Sequence, residues 1–141
     1  MFEFHDIHKS FGDKKVLDGI SFSLKEGETL VIVGPSGTGK SVTLKHMVGL
    51  LEPDEGDVLF DGKSILGLHG RELRKLRANF GMLFQSSALL AWMTVEQNTA
   101  LPLLEGTKLP IQEIEAQVDR VVKLVHLEDA RKKKPSEISG G

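Results

Sequence analysis

VIVGPSGTGKSVTL, residues Val31–Leu44, holds three glycines and a proline between two apolar patterns. Glycine and proline inside a helix or strand cost about 1–3 kcal/mol each, so this stretch is a junction rather than the interior of an element. The run Thr29–Val33 leads in without a polar break, as in a strand covered on both faces of a parallel sheet. A helical pattern, Val42–Leu51, leads out, with Leu44, Met47, Val48 and Leu51 on one face. Gly34, Gly39, Lys40 and Ser41 fit Gly-x-x-x-x-Gly-Lys-[Ser/Thr], with Pro35, Ser36, Gly37 and Thr38 between. Backbone amides from about Ser36 to Ser41 can point into one concavity, because glycine lets the loop curl. The helix that follows adds its positive end. Lys40 suits the outer phosphates as a mobile point charge, and the Ser41 hydroxyl suits Mg²⁺. The junction therefore implies a nucleoside triphosphate with Mg²⁺.

Outward from this loop, Phe2 and Phe4 alternate with Glu3 and His5. Ile20, Phe22 and Leu24 alternate with Ser21, Ser23 and Lys25. These predict two strands paired antiparallel across the turn residues SFGDKKV. EPDEG breaks the first helix, and DVLFDGK predicts a strand closing in an Asp-Gly turn. Leu68, Leu73 and Leu76 predict a short helix, and NFGMLF an apolar strand that stops at Gln85. A helix is predicted from Thr94 to Leu104, with Pro102 near its end. Another is predicted over Ile111–Leu127, with Ile111, Ile114, Val118, Val121, Val122 and Val125 as one stripe. From Lys132 the chain is predicted as loop at least to Pro135.

Composition excludes several classes. The 141 residues are 40% hydrophobic and 27% charged, ordinary for a globular domain. A net charge of −2 gives no global basic field to draw nucleic acid. Arg131–Lys134 follows a helix, where cations suit the negative end of its dipole, so the run is a solvated face rather than a nucleic-acid patch. With no cysteine there is neither a disulfide framework nor a thiolate metal site. The five histidines show no His-x-x-x-His spacing and are expected to be solvent-facing or structural. No signal peptide and no run of about 18 apolar residues is evident, so a membrane role would come through a partner chain.

Read together, KSFGDKKVLDGISFSLKEGE, GPSGTGKS, LFDGKSI, FGMLFQ, MTVEQN and PSEISGG resemble, in that order, the N-terminal part of an ABC transporter ATP-binding subunit. The resemblance implies an α/β P-loop NTPase of ABC type, with an N-terminal antiparallel β subdomain, a partial helical subdomain and an incomplete core sheet. It implies P-loop core and β subdomain over residues 1–85, and Q-loop and helical subdomain over 86–141. Phe11 falls where the family stacks an aromatic on adenine, and Val16 where a side chain packs near the nucleoside. Val42 replaces a frequent hydroxyl near the α-phosphate, leaving only its backbone for that contact. Gln85 matches the Q-loop glutamine, which meets Mg²⁺ or the attacking water. Ser139, Gly140 and Gly141 match the signature loop, with Ile138 in the usual leucine place. The family pairs two ATP-binding subunits head to tail, so that the signature of one closes over the ATP of the other.

The resemblance further implies a transmembrane permease partner and a cytoplasmic location, peripheral on the inner face of the cell membrane. In the family an apolar strand ending in Asp-Glu, then a histidine, follow the signature. Hydrolysis is therefore expected of a longer protein, and residues 1–141 alone are expected to bind nucleotide with negligible turnover. SVTLKHMVGLLEPDEGDVLFDGKSI and MTVEQNTALPLLEGTKLP are most similar to ATPases of Mla/MCE-type lipid transport, which implies phospholipid or other hydrophobic cargo. Gln97 and Thr99 depart from the more usual Glu and Val of that helix. The alternatives are a soluble non-transport ABC-type ATPase and a non-hydrolysing nucleotide-binding module. A GTPase would need Asn-Lys-x-Asp, which does not occur.

Overall fold

The computed structural model describes residues 1–85 and 88–139. It comprises two compact units, Met1–Met82 and Leu83–Gly141. In the first, strands β1 (Phe2–Phe11) and β2 (Lys14–Leu24) precede helix α1 (Lys40–Met47). Strands β3 (Glu55–Phe60) and β4 (Lys63–Ser64) and helix α2 (Gly70–Arg77) follow. The strands form one antiparallel sheet in the order β2-β1-β3-β4. The β1–β2 pairing agrees with the alternation in the sequence, but both strands run longer than it suggested.

The burial pattern of β1 explains its irregular register. Phe4 and Ile7 are both fully buried although three residues apart, which a regular period of two cannot do. Asp6 resolves this by taking a positive φ of 50°, and the pairing with β2 and with β3 slips at that point. The extra residue lets Ile7 return to the core face, as bulges do. Phe4, Ile7, Leu17 and Val58 form the sheet's buried face, and Ile65 and Leu76 close over it. Phe2, Phe60 and Phe80 pack ring to ring at 5.0–5.2 Å. The β3–β4 turn is the one that Asp-Gly demands, with positive φ at Asp61 and Gly62.

Two expected strands are absent. The run at 29–33 and the run at 79–84 carry no ladder among the described residues. Val31 and Val33 are 71% and 83% exposed. A buried parallel strand needs neighbours for its backbone groups and covers for both faces. No described strand pairs with either run; residues 29–33 are exposed, and Phe80 of the second run packs against the core.

Helix α1 also ends earlier than its apolar pattern suggested. Gly49, at φ 62°, follows the C-cap. Its N–H bonds to His46 O, and Leu50 N–H bonds to Lys45 O, the paired bonds of a Schellman stop. Arg77 of α2 then donates to Val48 O and Gly49 O. Thr43 and His46 are the buried side chains of α1, while Leu44 is exposed. His46 is thus structural: its Nδ1 donates to Val42 O, and burial holds the ring below its ordinary pKa and neutral at pH 7.

The second unit is a helical hairpin, α3 (Val95–Gly106) and α4 (Ile111–Leu124), followed by short 3-10 turns at Glu128–Ala130 and Pro135–Glu137. Thr94 caps α3 in a reciprocal box with Gln97. The departure at Gln97 therefore has a local use, since its amide oxygen accepts from Thr94 N–H. Ile114, Val118 and Val122 form the core with Val95, Ala100, Leu103, Leu109 and Leu127 around them. Ile111, Val121 and Val125 stay exposed, so the buried stripe of α4 is narrower than the sequence implied. Arg131 bridges Glu96 of α3 and Asp119 of α4. Lys132 and Arg131 hold the Glu96 carboxyl below the usual range.

Asn98 fixes the loop that enters α3. Its Oδ1 accepts from Leu90 N–H, and its Nδ2 donates to Leu90 O, Met93 O and Thr94 O. Asn98→Ala would leave part-buried backbone groups without partners. An expected loss of about 1–3 kcal/mol follows, read as a lower urea midpoint and faster hydrogen exchange at the Leu90 amide.

Candidate functional site: a phosphate loop and its flanks

The glycine-rich stretch 34–39 runs from the exposed 29–33 segment into the first turn of α1. Gly39, the N-cap, lies at φ 92° and ψ 0°, and no side chain caps the helix. The first amides of α1 therefore keep their donors available to an anion at the helix's positive end. Gly39 is also where the loop rests on the sheet. A Cβ there would stand 2.6 Å from Leu17 Cδ2, 3.0 Å from Val16 O and 3.2 Å from Val16 Cγ1. Only glycine allows both this approach and this φ.

Within the loop, Thr38 Oγ1 donates to Pro35 O at 2.9 Å. Lys40 Nζ donates to Gly34 O at 2.9 Å and Pro35 O at 2.6 Å. The ammonium thus hangs over the start of the loop that its own helix follows, held by neutral carbonyls. Phosphate oxygens carry charge and are stronger acceptors. Ser36, Gly37, Thr38 and Ser41 are exposed, and Ser41 offers a hard oxygen at the helix start. The uncapped amides at the start of α1, an ammonium held by neutral carbonyls and an exposed hydroxyl are groups that suit a magnesium-bound polyphosphate. A cavity of about 480 Å³ opens beside the loop, with Lys40 and Ser41 in its lining and Leu30, Ile32, Leu44 and Met47 among its aliphatic walls.

The structure brings Val16 directly against Gly39. Phe11 ends β1 on the same hairpin, pairs with Lys14, and is 49% exposed. It is therefore a strand-end aromatic open to a ligand rather than a core side chain. Val42 is half-buried and packs against the core, which leaves its backbone as the group available to a phosphate. Gln85 and Ser139 belong to the second unit, and both are exposed there. Gly140 and Gly141 lie outside the described residues. Among the described residues no cluster of three His, Cys, Asp or Glu could hold a metal, and no helix is long and apolar enough to cross a membrane. Residues that the sequence reading passed over are Asp54 and Gly56, within EPDEG, and Lys9. EPDEG signalled only a break; its hydrogen bonds depend on what β1 places beside it.

The ABC transporter family matches residues 17–141. The chain belongs to the ABC transporter family of ATP-binding cassettes. It is 44% identical over 139 residues to a probable ribonucleotide transport ATP-binding protein, mkl, of Mycobacterium leprae, covering 99% of this chain and 40% of that one. It is 42% identical over 130 residues to the intermembrane phospholipid transport system ATP-binding protein MlaF of Haemophilus influenzae, covering 92% of this chain and 49% of that one. The ATP-binding cassette MJ0796, solved as a dimer in a post-hydrolysis state with ADP and Pi, superposes with a TM-score of 0.88. It is 30% identical, covering 99% of this chain and 64% of that one. The chain thus spans about 40% of the length of mkl and about half that of MlaF.

Proposed function

We propose that this chain is the phosphate-binding part of an energy-coupling subunit that binds Mg–ATP and powers an ABC transporter. The observation that carries the reading is the loop at Gly34–Ser41, packed through Gly39 onto Val16 and Leu17 and opening at the uncapped start of α1. In this reading the amides from Ser36 to Val42 and the Lys40 ammonium hold the phosphates. Phe11 stacks on the base and Val16 packs beside the nucleoside. Ser41 is the residue of the loop that would hold Mg²⁺, and Gln85 is assigned to the metal by family resemblance alone; the ion would supply charge neutralisation of the phosphates.

Hydrolysis belongs to the whole protein, since phosphoryl transfer also needs a water-orienting group. Residues 1–141 are assigned binding without appreciable turnover. They comprise the P-loop core and β subdomain to residue 85, then the Q-loop and helical subdomain. Ser139, Gly140 and Gly141 would contact the ATP of a second, head-to-tail subunit. MJ0796 supports this reading as a dimeric cassette. A transmembrane permease, met by this subunit at the inner face of the cell membrane, completes the assembly. For cargo we favour phospholipid or another hydrophobic molecule, supported by the likeness to MlaF; mkl is named for ribonucleotide transport instead.

The test is a calorimetric titration of the intact protein with Mg–ATP, together with purification from solubilised membranes. Saturable ATP binding and a co-purifying integral membrane protein are the expected results. Failure to bind ATP removes the nucleotide reading. ATP binding without any membrane partner favours the soluble ATPase.

A further inference from the structure

Asp54 lies in the break between α1 and β3. Its backbone N–H donates to His8 O at 2.9 Å. Its Oδ1 accepts from Lys9 Nζ at 2.6 Å, and its Oδ2 from the Ser10 backbone N–H at 2.7 Å. One residue therefore grips three consecutive residues of β1, and the next in the chain is Phe11. The Lys9 side chain is only 15% exposed, and its ammonium lies 5.8 Å from the Phe11 ring centre, within cation–π range. The Lys9 ammonium, followed by the Ser10 N–H, holds the Asp54 carboxyl below the usual range, so it is ionised at neutral pH.

A strand end beside a tight turn frays unless something holds it. Ordering a loose aromatic on binding would subtract from affinity, whereas one already placed carries no such cost. We propose that Asp54 is a positioning residue for nucleobase binding. It fixes His8–Ser10 and sets the Lys9 ammonium against Phe11, so that the aromatic platform is formed before the nucleotide arrives. The proposal rests on the reading that Phe11 stacks on the base. It adds that affinity for the base depends on a carboxylate that touches no part of the nucleotide.

The experiment compares Mg–ATP with Mg–tripolyphosphate, which offers the same phosphates without a base, by calorimetry on the intact protein. Phe11→Ala is expected to weaken ATP binding about 5- to 100-fold and leave tripolyphosphate unchanged. Asp54→Ala is expected to weaken ATP about three- to tenfold, again with tripolyphosphate unchanged, as the fraction of protein with a formed platform falls. Asp54→Asn should recover part of the loss, because its amide oxygen still accepts from Ser10. Lys9→Met keeps the buried stem, removes the ammonium, and should show the same ATP-selective loss; it also carries the test if Asp54→Ala does not fold. Equal losses for both ligands, or no loss for ATP in Asp54→Ala and Lys9→Met, overturn the proposal. If Phe11→Ala binds ATP normally, the stacking reading falls and this inference with it.

Discussion

Gly56→Ala is expected to destabilise the first unit by about 2–5 kcal/mol, a large share of an ordinary domain's stability. Gly56 lies at φ 92°, where a side chain is strained whatever the space. Here the space is also absent. A Cβ would stand 2.3 Å from Asp6 O, 2.5 Å from His5 O and 2.7 Å from Asp6 C. All three are backbone atoms of β1 at its bulge, so no rotamer change relieves the contact. The β1–β3 pairing would have to open between His5 and His8, close to the grip of Asp54. Gly62→Ala is the control. Gly62 has φ 73° but nothing within 4 Å of an added Cβ, so it should cost only about 1 kcal/mol of backbone strain. Urea denaturation of both variants checks the pair. Equal midpoints would mean that the β1 bulge yields freely.

Lys40→Ala is expected to weaken Mg–ATP binding about 10- to 150-fold, from the loss of charge-assisted bonds worth about 1.5–3 kcal/mol. Folding should barely change. Among the described residues, Lys40 Nζ bonds to the carbonyls of Gly34 and Pro35, both within its own loop. Lys40→Arg should not restore affinity, because a planar fork cannot replace a compact ammonium over a tight loop. Calorimetry with ATP, beside a thermal melt without it, separates the two effects. Unchanged affinity in Lys40→Ala would sink the phosphate reading. A collapsed melt would make Lys40 a structural residue instead.

Local chemistry was the legible part of this chain. The loop at Gly34–Ser41 announces itself because each residue type answers a local need: glycine for positive φ, lysine for charge, serine for oxygen. The Asp61-Gly62 turn and the two helices beginning near Thr94 and at Ile111 were readable from equally local patterns. What could not be read depends on contacts between residues far apart. Thr29–Val33 has the composition of a buried strand, yet composition supplies no neighbour, and the run stays exposed. Leu44 fits a helical stripe, yet Thr43 and His46 face the packed side. The bulge at Asp6 leaves a trace in the odd spacing of Phe4 and Ile7, but its dependence on Gly56 needs β3 alongside.

By itself, then, the sequence determined the glycine-rich junction into α1, the pairing of the first two strands and the membership that its ordered motifs imply. All of these follow from residues within a few positions of each other, or from a resemblance carried by such short stretches. Only the tertiary structure decided which apolar runs are buried, where β1 bulges, and that Asp54 holds the strand bearing Phe11. Burial and pairing are properties of two segments at once, and a carboxylate 44 residues from its backbone partner Ser10 gives no sign in sequence of what it will reach.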